Sequence, residues 1–151
     1  MNTIISLQAG FPIDPLLGFN QSRNANATNV DRPSWNPNFS GPLYLKRVEG
    51  WYNAAAFVLP LQGTYGNVAR DALIGPGLAS VDLSLFKNIP VTERLHVQFR
   101  AEAFNLLNRT NLGLPNILVL NPDGSARSTA GLITSTSTTS RQLQFGLKLI
   151  W

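Results

Sequence analysis

The chain has 151 residues and a charged fraction of 13% against about 25% in an ordinary soluble domain, yet its hydrophobic fraction of 44% is ordinary, so uncharged polar and turn-forming residues fill the gap and disorder is excluded. Twelve Gly, ten Pro and fifteen Asn call for turn-rich connections between short extended segments and exclude a helical bundle. The formal charge of +4 comes from basic residues scattered singly, which argues against a nucleic-acid partner, while the lack of Cys and the single His96 exclude disulfides and thiolate sites, leave little for zinc, and imply no cofactor.

Met1 to Ser6 lacks the positive n-region and apolar h-region of a secretory signal, so either the protein stays inside or Met1 is not its true start. The first predicted strand is Thr3 to Phe11, with Thr3, Ile5, Leu7, Ala9 and Phe11 on one face, closed by Pro12. A long connection follows to Gly77. It holds Ala54 to Leu59, an apolar run broken by Pro60 and far short of the roughly 20 residues of a spanning helix.

The second predicted strand, Leu78 to Lys87, sets Ala79, Val81, Leu83 and Leu85 against Ser80, Asp82 and Ser84. Pro90 marks a short turn over Asn88 to Arg94. The third, Leu95 to Phe104, opposes Leu95, Val97, Phe99, Ala101 and Ala103 to His96, Gln98, Arg100, Glu102 and Phe104, so the two form a hairpin. A helical template also fits part of this stretch, but Gln98 and Glu102 interrupt it. A second long connection, 105–140, ends in a polar Thr/Ser run from Thr134 to Ser140 with no means of building a core. Both long connections are expected to be exposed and partly mobile. The last strand, Arg141 to Trp151, alternates Leu143, Phe145, Leu147, Leu149 and Trp151 with Gln142, Gln144, Gly146, Lys148 and Ile150.

Strands of nine to eleven residues cross a hydrocarbon layer when tilted near 45°. An apolar face toward lipid, a polar face toward a lumen, and short turns opposite long loops define an outer-membrane barrel. A soluble antiparallel sandwich alternates in the same way, because one face meets a core. The pattern predicts an all-β fold of antiparallel strands and leaves both architectures open.

A resemblance narrows the choice. Gly75-Pro76-Gly77, Val81-Asp82-Leu83-Ser84-Leu85-Phe86-Lys87-Asn88, and Leu95 through Ala101-Glu102-Ala103-Phe104-Asn105-Leu106-Leu107-Asn108-Arg109-Thr110-Asn111 resemble the end of a TonB-dependent outer-membrane receptor. Leu7 to Pro12, Trp51 to Phe57 and Gly63 to Asn67 are similar to upstream stretches of its Oar-like, carboxypeptidase-regulatory-domain subgroup. The terminal Leu143, Phe145, Leu147, Leu149 and Trp151 resemble the signal read by the barrel assembly machinery, with Trp in place of the usual final Phe.

The resemblance implies about four transmembrane strands of a partial barrel, the C-terminal part of a receptor whose barrel has about 22. It also implies the cell outer membrane, outer-membrane lipid as surroundings, and TonB contacted only through an N-terminal region not visible here. The solute stays unknown. With a periplasmic C-terminus, 141–151 runs inward, 95–104 outward and 78–87 inward, both long loops lie outside the cell, and Trp151 and Phe145 sit at or near interfaces.

His96, Gln98, Arg100 and Glu102 form a row on the expected lumen face, joined by Asp82 and Lys148. Plug or lumen structure is the ordinary role of such a row, because charges on one strand face commonly satisfy each other or a neighbour. No Gly-x-Ser-x-Gly elbow accompanies His96, and no enzyme activity is expected. The glycosylation-like triplets at Asn26, Asn38 and Asn108 are read as chance. Trp35, Phe39, Tyr44, Trp51, Tyr52, Phe57 and Tyr65 are expected to pack the long loop on itself rather than hold a ligand, and Asn105, Asn108 and Asn111 to serve strand-end geometry.

Three functions follow. The first is a barrel segment of an energised solute transporter. The second is a secreted or surface β-sandwich whose aromatic-rich loops bind a ligand, and the third a porin-like or adhesin barrel built from several short chains.

Overall fold

A computed structural model describes residues 1–25, 28 and 30–151, so Asn26 and Ala27 of the first glycosylation-like triplet lie outside the described residues. The strands are β1 (Asn2–Gln8), β2 (Pro12–Ile13), β3 (Ser34–Trp35), β4 (Phe57–Val58), β5 (Leu73–Ile74), β6 (Leu78–Pro90), β7 (His96–Phe104) and β8 (Gln142–Ile150), with a 3-10 turn at Ala54–Ala56. All pairings between strands are antiparallel. The long strands form one sheet in the order β1-β6-β7-β8, and β2 pairs with β5 and β3 with β4. The chain divides into a sheet unit (Met1–Ala9, Gly77–Asn111, Thr136–Trp151) and a loop unit (Gly10–Pro76, Leu112–Ser135).

All four predicted strands exist, and within the segment open to a helical reading, 95–107, His96–Phe104 is strand. Their ends shift for physical reasons. β1 stops at Gln8 instead of Phe11. Beyond it the backbone at Gly10 crosses that at Gly75 so closely that an added Cβ would lie 1.8 Å from the Gly75 carbonyl oxygen, and the Gly75 N–H donates to the Phe11 carbonyl at 2.8 Å. Only glycine fits that crossing.

β6 runs on to Pro90, so the predicted turn at 88–94 is corrected to 91–95. Pro90 is the last ladder residue, opposite His96, where a missing donor costs one terminal bond at most. The turn closes through the Val91 and Thr92 N–H groups, which donate to the Leu95 carbonyl at 2.9 and 3.1 Å.

The expectation that both long connections lie exposed is also corrected. Together they build the buried core of the loop unit, in which Leu17, Tyr52, Leu73, Val119 and Leu120 are almost wholly removed from solvent. Backbone bonds between the two connections make this possible. Leu16 donates to the Ile117 carbonyl at 2.9 Å, Val119 to that of Leu16 at 3.0 Å, and Trp51 to that of Gly131 at 2.8 Å. Cross-tied in this way, irregular backbone satisfies its polar groups and lets scattered apolar side chains meet. Thr134 to Ser137 of the polar run stay exposed.

Candidate functional site

The sheet unit is two-faced. Strict alternation along four strands in register places Ile5, Leu7, Val81, Leu83, Leu85, Val97, Phe99, Ala101, Leu143, Phe145, Leu147 and Leu149 on one face. Phe99 and Phe145, diagonal neighbours across β7 and β8, stack with centroids 6.2 Å apart and planes at 18°. Lys87 shares this face near its turn end, opposite Phe99. Along the outer strands the apolar side chains are open, Leu147 being 75% exposed and every residue of β1 and β8 exposed, while Val81, Leu83, Val97 and Ala101 on the inner strands are half-buried. Trp151 lies just past β8, 90% exposed.

The opposite face carries the predicted polar row. His96 lies between Pro90 and Ile150, Gln98 between Asn88 and Lys148, Arg100 between Phe86 and Gly146, and Glu102 between Ser84 and Gln144. Gln98, Arg100 and Glu102 hydrogen-bond to uncharged neighbours. Arg100 Nε donates to Gln98 Oε1 at 2.9 Å, Gln98 Nε2 to Asn88 Oδ1 at 2.9 Å, and Ser84 Oγ to Glu102 Oε1 at 3.3 Å. Phe86 and Phe104 are the aromatic exceptions on this side.

At the end of the sheet where the long connections leave, three asparagines spaced by three form a clasp. β6 outruns β7 there, and its open edge is taken up by the chain after Phe104. The Leu106 N–H donates to the Val81 carbonyl at 2.7 Å, and the Asn105 N–H to Asp82 Oδ1 at 2.8 Å. Asn105 is buried and left-handed at φ 49°, and its Nδ2 donates to the carbonyls of Arg109 and Thr139 at 2.9 and 3.0 Å. Asn108, at φ 50°, accepts the Arg141 N–H on Oδ1 at 3.0 Å. Asn is the side chain that tolerates this conformation while supplying a donor and an acceptor. Strand-end geometry is thus the role these residues have, and the wiring between specific partners is what the sequence left unseen.

In the loop unit the aromatic residues pack mainly on one another. Trp35 stacks on Phe57 at 5.1 Å, Tyr52 meets Phe57 edge-on at 6.0 Å, and Phe39, Tyr44 and Trp51 line the same core. Tyr52 donates from its hydroxyl to the Asn116 carbonyl at 2.6 Å, and burial pushes its phenol well above the ordinary value. Tyr65 is the exception, largely exposed. Among the described residues no group of three or more His, Cys, Asp or Glu is placed to hold a metal ion.

Among the described residues no helix is long and apolar enough to cross a membrane. A family model described as an outer membrane beta barrel domain matches residues 1–144. No curated protein and no solved structure matches the chain. With the match running almost end to end over a two-faced antiparallel sheet, the chain belongs to the outer membrane beta barrel domain family, and its place is the outer membrane.

Proposed function

We propose that this chain is barrel wall and extracellular loop of a TonB-dependent outer-membrane receptor, the C-terminal part of a transporter that takes up a scarce solute with energy from the inner membrane, and not an enzyme. The observation that carries the reading is connectivity. Both long excursions leave and rejoin the sheet at the end marked by Gln8, Leu78, Phe104 and Gln142, while the other end of the β6–β7 hairpin closes in the short turn at 91–95. That asymmetry is the one outer-membrane barrels have.

The apolar face then meets lipid and the row His96, Gln98, Arg100, Glu102 meets the lumen or plug. A nine-residue strand is about 30 Å long and, tilted near 40°, rises about 23 Å, close to the roughly 25 Å apolar band of such barrels. Lys87 lies near the periplasmic rim, where its long stem can reach the interface. Four strands leave the outer edges of β1 and β8 unpaired, and lipid cannot solvate them, so further strands complete the wall. A sandwich would need a second layer over Leu143 to Leu149, which are exposed. Leu143, Phe145, Leu147, Leu149 and Trp151 present the alternation that the barrel assembly machinery reads.

The test is uptake in the source bacterium. Deleting the coding region of this chain should abolish accumulation of one solute from a labelled panel, and removing TonB should abolish the same accumulation. Equal uptake with and without TonB would overturn energised transport in favour of a passive barrel.

A further inference from the structure

We infer that the loop unit holds a preformed cavity for a small solute bearing a carboxylate or phosphate group, with Arg32 and Arg70 as the residues that recognise the charge. This names a solute class for the function proposed above, and rests on that reading only in treating the bound anion as cargo.

The cavity measures about 450 Å³, within the usual range of roughly 300 to 1,000 Å³ for small-molecule sites, and is bounded by segments 14–16, 30–32 and 65–70. Hydrogen bonds tie these walls together. The Leu17 N–H donates to the Asp31 carbonyl at 2.9 Å and the Val68 N–H to the Pro33 carbonyl at 3.2 Å. The Asp71 N–H donates to Asp14 Oδ1 at 2.5 Å. Gly66 lies so close to the Arg32–Pro33 backbone that an added Cβ would sit 2.2 Å from both carbonyl oxygens. The arginine-bearing segments are therefore held against each other by their own backbone.

The acids in the wall are already engaged. Asp31 is buried and accepts the Ser22 N–H on Oδ2 at 2.6 Å and the Ser22 hydroxyl on Oδ1 at 3.1 Å, and Asp14 holds the Asp71 N–H. Arg32 and Arg70 have no such partner among the described residues, so their planar sets of N–H donors are unspent. Tyr65 completes the wall, its hydroxyl accepting from Asn24 Nδ2 at 3.3 Å and its ring open to solvent. Among the described residues neither wall carboxylate is paired with a guanidinium, and a compact carboxylate or phosphate on a solute supplies the acceptor that Arg32 and Arg70 leave unmet. The two carboxylates disfavour a diffuse polyanion, which leaves a single anionic group on a polar frame able to lie against Tyr65.

The experiment is calorimetric titration of the purified full-length protein in detergent with citrate, inorganic phosphate, glucose and lipid A. Citrate or phosphate should bind and glucose should not. Arg32→Gln and Arg70→Gln should each weaken binding by about tenfold or more, Arg70→Lys should restore part of it, and Arg94→Gln in the short turn should change nothing. Arg70 is exposed, so its variants keep the fold even where Arg32→Gln does not. Silence toward both anions, binding unaffected by the Arg70 substitution, or binding of lipid A alone would overturn the inference. Because no cell or TonB takes part, TonB-independent uptake would sink the proposed function and leave this site standing.

Discussion

Asn111 stands where β7 has already left the edge of β6, and its Oδ1 accepts the Ala79 N–H at 2.9 Å as a strand partner would. The same side chain donates to Thr138 Oγ1 at 2.9 Å, and its carbonyl accepts the Ser137 N–H at 2.8 Å. One buried amide thereby joins the start of β6 to the segment that leads into β8.

Asn111→Leu should consequently cost about 1 to 3 kcal/mol, the penalty for leaving a buried donor unmet. Asn38→Leu, at an exposed position, should cost far less. Thermal unfolding of the purified protein, read as the heat-dependent shift in gel migration, measures both. Equal midpoints for the two variants would remove the clasp from the account.

Face assignment makes a sharper demand on β8. Leu147→Arg places a charge on the apolar face opposite Phe99 and should cost about 2 to 4 kcal/mol near the bilayer centre, whereas Gln144→Arg, on the face of Glu102, should be tolerated. Quantifying membrane insertion of matched variants tests the difference.

Tyr52 gives a pH dependence. Its folded phenol is held neutral by burial, so its pKa is raised above the unfolded value of about 10. Below that pH the contribution to stability is complete; above it the unfolded chain loses the proton first, and stability falls as pH rises toward the folded pKa. Unfolding followed between pH 9 and 12, roughly the window that linkage sets, should show a decline in the wild type that is reduced in Tyr52→Phe. Tyr52→Phe should also lose about 0.5 to 1.5 kcal/mol at neutral pH with the bond to Asn116.

Gly10→Ala should destabilise the loop unit by about 1 to 3 kcal/mol or more, because the new methyl meets the Gly75 carbonyl with no room to give. Gly63→Ala meets nothing within 4 Å, so any cost there comes from its φ of 84° alone. Limited proteolysis of the two variants compares them, and equal resistance would contradict the close crossing.

The sheet was legible in the sequence because every strand residue answers directly to one of two environments, so period-two alternation at Leu143 to Trp151 and Val97 to Ala103 encodes the face without knowledge of any partner. The strand ends were less legible. Pro90 reads as a breaker, yet a proline in the last ladder position costs little, and Gly10 ends β1 through a contact with a residue 65 positions away. The loop core was illegible in kind. Leu17, Tyr52, Leu73 and Val119 are buried by crossings of irregular backbone, which leave no period to read. The polar row was visible as a row, but the choice of Gln98 over Glu102 as the partner of Arg100 depends on rotamers that spacing does not set.

Oxygen and a nickel chelate, used against nitroxide labels, test the central claim that this sheet is a membrane wall with one face to lipid. The chain has no cysteine, so single cysteines at Leu147 and Lys148 can be labelled on otherwise native sequence in lipid vesicles. A lipid-facing Leu147 and a lumen-facing Lys148 require the label at 147 to be relaxed chiefly by oxygen dissolved in the bilayer and the label at 148 chiefly by the water-soluble chelate. The reverse order, or equal access of the chelate to both positions, would contradict the account.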